Sequence, residues 1–298
     1  MARESVVQLA RALSGLLDEP VFRLERLRGG DVAEAYRVEL GSGKTVFAKT
    51  HRAPPPGFFT TEAAGLSWLR EADALPVPEV LVVSDGGDTT PPVLVLEWIP
   101  ENRRETPDDE AFGSGLAALH AVGAPGFGRE DHRTTGSRAL PNQPRPTWAE
   151  FYATQRLAPL ARLVRDAPGL RPEVSSGLST GLETVAAGII ELAGPPEPPA
   201  RIHGDLWAGN RVVDDQRRSW LIDPACFGGH REFDLAMMRL FGGFGDEAFI
   251  AYEEQLPLAD GWEERTALHQ LAPLAVHAVK FGHSYVPALQ QALRALGA

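Results

Sequence analysis

The sequence predicts an α+β protein, with a small antiparallel β-rich part followed by a larger, mainly helical part. Two observations carry this. Through the first hundred or so residues, apolar side chains recur at strand spacing between Gly-rich turns, with a single helical stretch inserted. Beyond that point the apolar spacing becomes helical, which sets the expected division at 1–100 and 101–298.

The opening segment to Leu17 carries Arg3, Glu4 and Arg11 among helically spaced apolar residues, the pattern of an amphipathic helix and not of a signal peptide. Val21 to Thr50 is strand-like, with alternation in Ala35-Tyr36-Arg37-Val38-Glu39-Leu40 and turns at Gly29-Gly30-Asp31 and Gly41-Ser42-Gly43-Lys44. A helix is expected over about Thr60 to Ala72, ended by Pro76 and Pro78. Val80–Val83 and Val93–Leu96 flank Gly86-Gly87 and read as an antiparallel pair. A helix begins near Pro107-Asp108-Asp109 and carries Leu116, Leu119 and His120. Gly123 to Pro146 reads as a long surface loop, long enough to line a site. Helices follow from Trp148 and Pro172, and Pro195-Pro196-Glu197-Pro198-Pro199 is a stiff linker. Short strands are expected at Val212-Val213 and Trp220-Leu221-Ile222, then helices from Glu232, Gly245 and Trp262 onward.

Composition narrows the function. Of the 298 residues, 43% are apolar and 23% charged, enough to bury a core. The 29 basic and 40 acidic residues leave a net charge of −11, which argues against binding nucleic acid through its phosphates. No apolar run approaches the roughly 18 residues of a membrane span. The single cysteine, Cys226, excludes an internal disulfide, and a cytoplasmic protein is the simplest expectation. Lysine is scarce, with only Lys44, Lys49 and Lys280, so each draws attention.

Gly43-Lys44-Thr45 resembles the end of a phosphate-binding P-loop. The motif needs a glycine where this chain has Val38, and a helix where Thr45-Val46-Phe47-Ala48 is strand-like, so a hairpin turn is expected. The segment His203-Gly204-Asp205-Leu206-Trp207-Ala208-Gly209-Asn210, followed by Leu221-Ile222-Asp223-Pro224, differs in kind. Asp205, Asn210 and Asp223 supply oxygen ligands only, the hard donors that Mg²⁺ prefers, and Asp205 is also able to take a proton from an attacking hydroxyl.

With Gly229-His230-Arg231-Glu232-Phe233-Asp234-Leu235-Ala236 and Arg239-Leu240-Phe241-Gly242-Gly243-Phe244, these strings resemble the fructosamine kinase (ketosamine 3-kinase) family, within the aminoglycoside phosphotransferase and protein-kinase-like superfamily. The likeness includes Gly65-Leu66, Leu94-Val95-Leu96-Glu97 and Pro141-Asn142. The resemblance implies a two-lobed kinase-like fold, with ATP in the cleft between a small β-rich lobe and a larger helical lobe. It implies transfer of the γ-phosphoryl group to the 3-hydroxyl of a ketosamine, free or on a glycated protein lysine, and release of the amine from the unstable product. Oligomeric state is left open.

Carried over residue by residue, the resemblance makes Asp205 the base and Asn210 and Asp223 the Mg²⁺ ligands. Lys49, paired with Glu62, holds the ATP phosphates, and Gly29 and Gly30 offer backbone N–H groups to them. Glu97, Trp98 and Ile99 meet adenine. Trp207, His230, Arg231 and His277 are candidates for the acceptor side, with bracing as the other reading of His230 and Arg231. His203 and Asp234 support the catalytic loop. Three rival readings stand beside this one: an aminoglycoside, choline-like or other small-alcohol kinase; a catalytically silent nucleotide-binding protein; and a metal-dependent hydrolase built on His203, Asp205, Asp223 and His230.

Overall fold

The computed structural model describes residues 2–27, 33–87, 90–131, 133 and 139–298. The chain forms two compact units, Met1–Pro107 with Val212–Asp223, and Asp108–Arg211 with Pro224–Ala298.

In the first unit, helix α1 (Ala2–Leu16) precedes a sheet of β1 (Val21–Arg26), β2 (Glu34–Leu40), β3 (Thr45–Thr50), β4 (Val80–Asp85) and β5 (Pro92–Glu97), with α2 (Phe58–Arg70) between β3 and β4. The strand order is β1-β2-β3-β5-β4 and every pairing is antiparallel. Val93 to Leu96 is an unbroken apolar run because β5 lies between two neighbours and is buried on both faces. Edge strand β1 leaves Phe22 exposed. Leu9 and Leu13 of α1 pack with Val38, Val46, Val93 and Val95 into this unit's core. At the β2–β3 turn, Gly43 N–H donates to Leu40 O (2.9 Å) and Leu40 N–H to Lys44 O (2.8 Å), so Gly43-Lys44-Thr45 is a hairpin that runs into a strand.

Helix α2 starts and ends two residues earlier than its apolar spacing suggests. The early start is set by Asp85 at the end of β4: its carboxylate accepts Phe59 N–H (2.9 Å), Thr60 N–H (3.2 Å) and the Thr60 hydroxyl (2.5 Å), capping the helix from 25 residues away. The cap fixes the helix that carries Glu62.

The second unit is mainly helical. Helix α3 (Asp109–Ala121) is capped by Asp108, whose side chain accepts Ala111 N–H (3.0 Å). Helix α4 (Trp148–Phe151) passes through a π-helical turn, Tyr152–Leu157, into α5 (Ala158–Arg165). Helices α6 (Pro172–Ala187) and α7 (Ile189–Leu192) follow, then β6 (Ala200–Ile202). The short strands β7 (Arg211–Val213) and β8 (Ser219–Leu221) pair with each other, and Val212–Asp223 belongs to the first unit. There, Asn102 N–H donates to Val213 O (2.8 Å) and Leu221 N–H to Pro76 O (2.9 Å). Strand β9 (Phe227–Gly229) pairs antiparallel with β6. Helices α8 (Glu232–Phe241), α9 (Asp246–Gln255), α10 (Trp262–Phe281) and α11 (Val286–Ala295) complete the unit.

The three-residue strands β6 and β9 were not expected from the sequence, because so short a run has no readable period. The expected loop after α3 is fastened where it is described. Phe127 and Gly128 bridge to Arg145 and Gly228, and Asn142 is fully buried, its amide oxygen accepting from Arg156 (2.6 Å). Among the described residues, no helix is long and apolar enough to cross a membrane.

Candidate active site

The catalytic-loop candidates lie in the second unit, on the turn after β6. Gly204 adopts φ +79°, and a Cβ there would sit 2.4 Å from Ala225 O, so only glycine fits. Asp234, fully buried in the first turn of α8, accepts the N–H groups of His203 (2.7 Å) and Gly204 (2.9 Å). A carboxylate is favoured at a helix N-terminus, and two amide donors hold it there. His120 Nε2 lies 3.3 Å from the same carboxylate, and His120 Nδ1 lies 2.8 Å from the Tyr252 hydroxyl. The loop is thereby tied to α3, α8 and α9. His203 is buried and its Nδ1 accepts Asp205 N–H (3.2 Å), which places it as a brace for the backbone.

Asn210 holds Asp205 directly. Its Nδ2 donates to Asp205 O (2.8 Å) and to Asp205 Oδ2 (3.0 Å). With the amide nitrogen so committed, the amide oxygen is the atom Asn210 has to offer a cation. Trp207 N–H donates to Asp205 O (3.2 Å) and Asn210 N–H to Trp207 O (2.9 Å), which closes the turn. The Trp207 ring lies over Gly209, where a Cβ would come within 2.3 Å of it, and remains 40% exposed. A carboxylate oriented in this way is suited to taking a proton from a hydroxyl.

The phosphate-binding candidates gather in the first unit. Lys49 Nζ on β3 lies 2.8 Å from Glu62 Oε1 of α2 and also donates to the Asp223 carboxylate. Burial opposes the charge on Lys49, but the attraction of Glu62 and then Asp223 outweighs it and raises its pKa. For Glu62 burial is the larger influence and pushes its pKa up against the pull of Lys49. One ammonium faces two carboxylates, so the cluster has negative charge to spare. Such a cluster, with Asp223 43% exposed, suits a hard divalent cation. Asp223 sits at φ +53°, a left-handed conformation that aspartate tolerates better than most residues and that recurs at functional sites.

The remaining candidates fall elsewhere. Gly29 and Gly30 lie outside the described residues. Glu97 ends β5, and half-buried Trp98 and Ile99 follow it. Of the two readings of His230 and Arg231, acceptor side or bracing, their contacts support bracing. Arg231 donates to both oxygens of Glu197 (2.6 and 2.7 Å) and to the carbonyls of Leu256 (2.7 Å) and Pro257 (2.8 Å), fastening the Pro-rich linker. Buried His230 stacks on His269 at 5.3 Å. His230, Glu232 and His269 come close enough to suggest a metal cluster, but Arg265 grips both Glu232 oxygens (2.9 and 2.6 Å) and its charge opposes a cation there. Of the hydrolase set, His230 belongs to this network with Glu232 and His269. His277 packs on Phe241 at 5.0 Å, and Phe241 meets Trp207 at 5.9 Å. Sequence reasoning missed Asp85 and Tyr252; His120 it read only as part of a helix, and Phe241 only as part of a family string. Their roles arise from contacts with distant elements.

The His230 network has a pH consequence. Burial, reinforced by His269, lowers the His230 pKa from 6.5 to about 4. The unfolded chain therefore takes up a proton between these values that the folded chain refuses, and stability is present above pH 6.5 and lost as pH falls toward 4. The expected cost is about 1.4 kcal/mol per pH unit across that window. Glu232, lowered to about 2 despite burial by hydrogen bonds from His269 and Arg265, adds its own loss only below pH 4.5. Denaturant melts from pH 7 to 4.5 check this: His230→Gln should flatten the slope, and an unchanged slope would refute the assignment.

Residues 7–297 match the fructosamine kinase family model. A protein of Synechocystis sp. named probable ketoamine kinase is 32% identical over 291 residues, covering 96% of this chain and 95% of its own. The crystal structure of a Thermobifida fusca protein named after fructosamine-3-kinase superposes with a TM-score of 0.84 at 41% identity, covering 97% of this chain and 99% of the other. LicA in complex with AMP shares the fold at 17% identity, with a TM-score of 0.61 over 97% and 96% of the two chains. The sheet-containing first unit, the helical second unit and the matches along nearly the whole length agree: the chain belongs to the fructosamine kinase family, kinases of glycation products.

Proposed function

We propose that the protein transfers the γ-phosphoryl group of ATP to the 3-hydroxyl of a small ketosamine, and that the phosphorylated product then releases its amine. The observation that carries this reading is the Asp205 carboxylate, held by Asn210 Nδ2 at 3.0 Å on a loop fastened by Asp234. Phosphoryl transfer asks for positioning and charge neutralisation more than covalent chemistry. Asp205 takes the proton of the attacking hydroxyl. Lys49, kept charged and oriented by Glu62, binds phosphate oxygens, and the backbone of Gly29 and Gly30 adds donors. Glu97, Trp98 and Ile99 face adenine. The Asp223 carboxylate and the Asn210 amide oxygen are the ligands we assign to Mg²⁺, which when bound neutralises phosphate charge. The AMP bound to a neighbour of the same fold supports nucleotide use. Free ketosamines and glycated lysines are both candidate acceptors, and we place the reaction in the cytoplasm.

The test is ATP turnover across ribulose-, erythrulose- and fructose-derived amines, with an aminoglycoside and choline as controls. Phosphate at the sugar 3-position followed by amine release is the expected outcome. Turnover of the controls alone would overturn the reading in favour of another alcohol kinase.

Trp207 is assigned to the sugar. Its exposed ring follows the base by two residues, and aromatic faces pack against sugar C–H surfaces. Trp207→Ala is expected to raise the ketosamine KM about 5- to 150-fold, from roughly 1–3 kcal/mol of lost contact, with the ATP KM within about threefold. A fall in Tm with both KM values unmoved would show a packing role instead.

A further inference from the structure

Five aromatic rings form a continuous patch in the second unit, starting from the catalytic loop. The Trp207 edge meets Phe241 (5.9 Å between centroids), Phe241 meets His277 (5.0 Å), and His277 meets both Tyr285 (4.8 Å) and Phe281 (5.4 Å). Phe281 and Tyr285 close the set at 5.8 Å. These rings lie at the edge of the core, with Phe241 and Tyr285 packed against it. Trp207 is 40% and Phe281 44% exposed, and the other three are half-buried, whereas the core tryptophan Trp148 is 4% exposed. A row of packed rings with an exposed ring at each end, running from the catalytic loop, offers a binding face.

We infer that Phe241, His277, Phe281 and Tyr285 form a subsite for the amine-borne group of the acceptor, so that the protein selects ketosamines whose amine carries an aromatic or bulky apolar group. The inference rests on the ketosamine reading above and deepens it. With the sugar beside Trp207 and its hydroxyl at Asp205, the substituent leaves the sugar along the row of rings. The amine is cationic at neutral pH, and a cation beside aromatic faces is attracted to them. The apolar group beyond it gains by covering Phe281.

The experiment compares kcat/KM for two ketosamines of one sugar, derived from benzylamine and from methylamine. The parent should favour the benzylamine adduct by about 10-fold or more, as burial of one ring against the patch suggests. Phe281→Ala should bring that ratio to about 2, and Phe281→Tyr, which keeps the ring, should preserve it. A purely structural role would lower both efficiencies together and leave the ratio alone. No preference in the parent, or a preference that survives Phe281→Ala, would overturn the subsite while leaving the kinase reading in place. A parent inactive on both adducts would overturn the ketosamine reading, and the subsite with it.

Discussion

Asp205→Asn is expected to lower turnover about 10²–10⁴-fold, the usual contribution of a positioned general base. The substitution isolates proton acceptance. Asparagine keeps a side-chain oxygen able to accept from Asn210 Nδ2, so the contact that orients position 205 persists. The Asp234 hydrogen bonds to His203 and Gly204 and the left-handed turn at Gly204 do not involve the altered side chain. Tm should therefore stay within a degree or two, and the ATP KM within about threefold, because the Lys49 cluster lies in the first unit. Steady-state kinetics with both substrates, alongside a thermal melt, checks the expectation. Near-parent turnover would remove Asp205 as the base. A large fall in Tm would show that the carboxylate holds the loop together instead.

Asp223 variants are expected to lose about 10²-fold or more in turnover at ordinary Mg²⁺, with the fold intact. Asp223 lies beside Lys49 and is the more exposed of that lysine's two carboxylate partners. Removing it leaves Lys49 paired one-to-one with Glu62 at 2.8 Å, so no buried charge is stranded. The positive φ calls for care in choosing the variant. Alanine at φ +53° adds a backbone penalty of roughly 1–2 kcal/mol, whereas asparagine tolerates that conformation and removes only the charge. Asp223→Asn should thus match the parent in Tm while losing activity, and raising Mg²⁺ should recover part of it. Full activity in Asp223→Asn at ordinary Mg²⁺ would place the cation elsewhere. Recovery of Asp223→Ala by temperature alone would point to backbone strain.

What the sequence by itself determined is local. Alternation and turns located the strands of the first unit, because a strand with one buried face must repeat every two residues. The same logic located most helices. The Asp205–Asn210 spacing was also legible, since one tight turn joins the two residues and their contact needs no distant partner. Lys49 stood out because lysine is scarce here and this one lies between apolar neighbours.

Tertiary structure decided the rest. Lys49 and Asp223 are 174 positions apart, and no local period relates them. Nothing local marks Asp85, yet it caps α2, because an unsatisfied helix terminus takes whichever carboxylate the sheet delivers. Between the acceptor-side and bracing readings of Arg231 the sequence has no means to choose; its pairing with Glu197, like that of Glu232 with Arg265, is made with a distant segment. The aromatic patch is assembled from the catalytic loop, α8, α10 and the turn before α11, segments that no local pattern relates. Periodicity reports which side of an element is apolar; whether water or another element covers that side depends on packing between segments far apart in the chain.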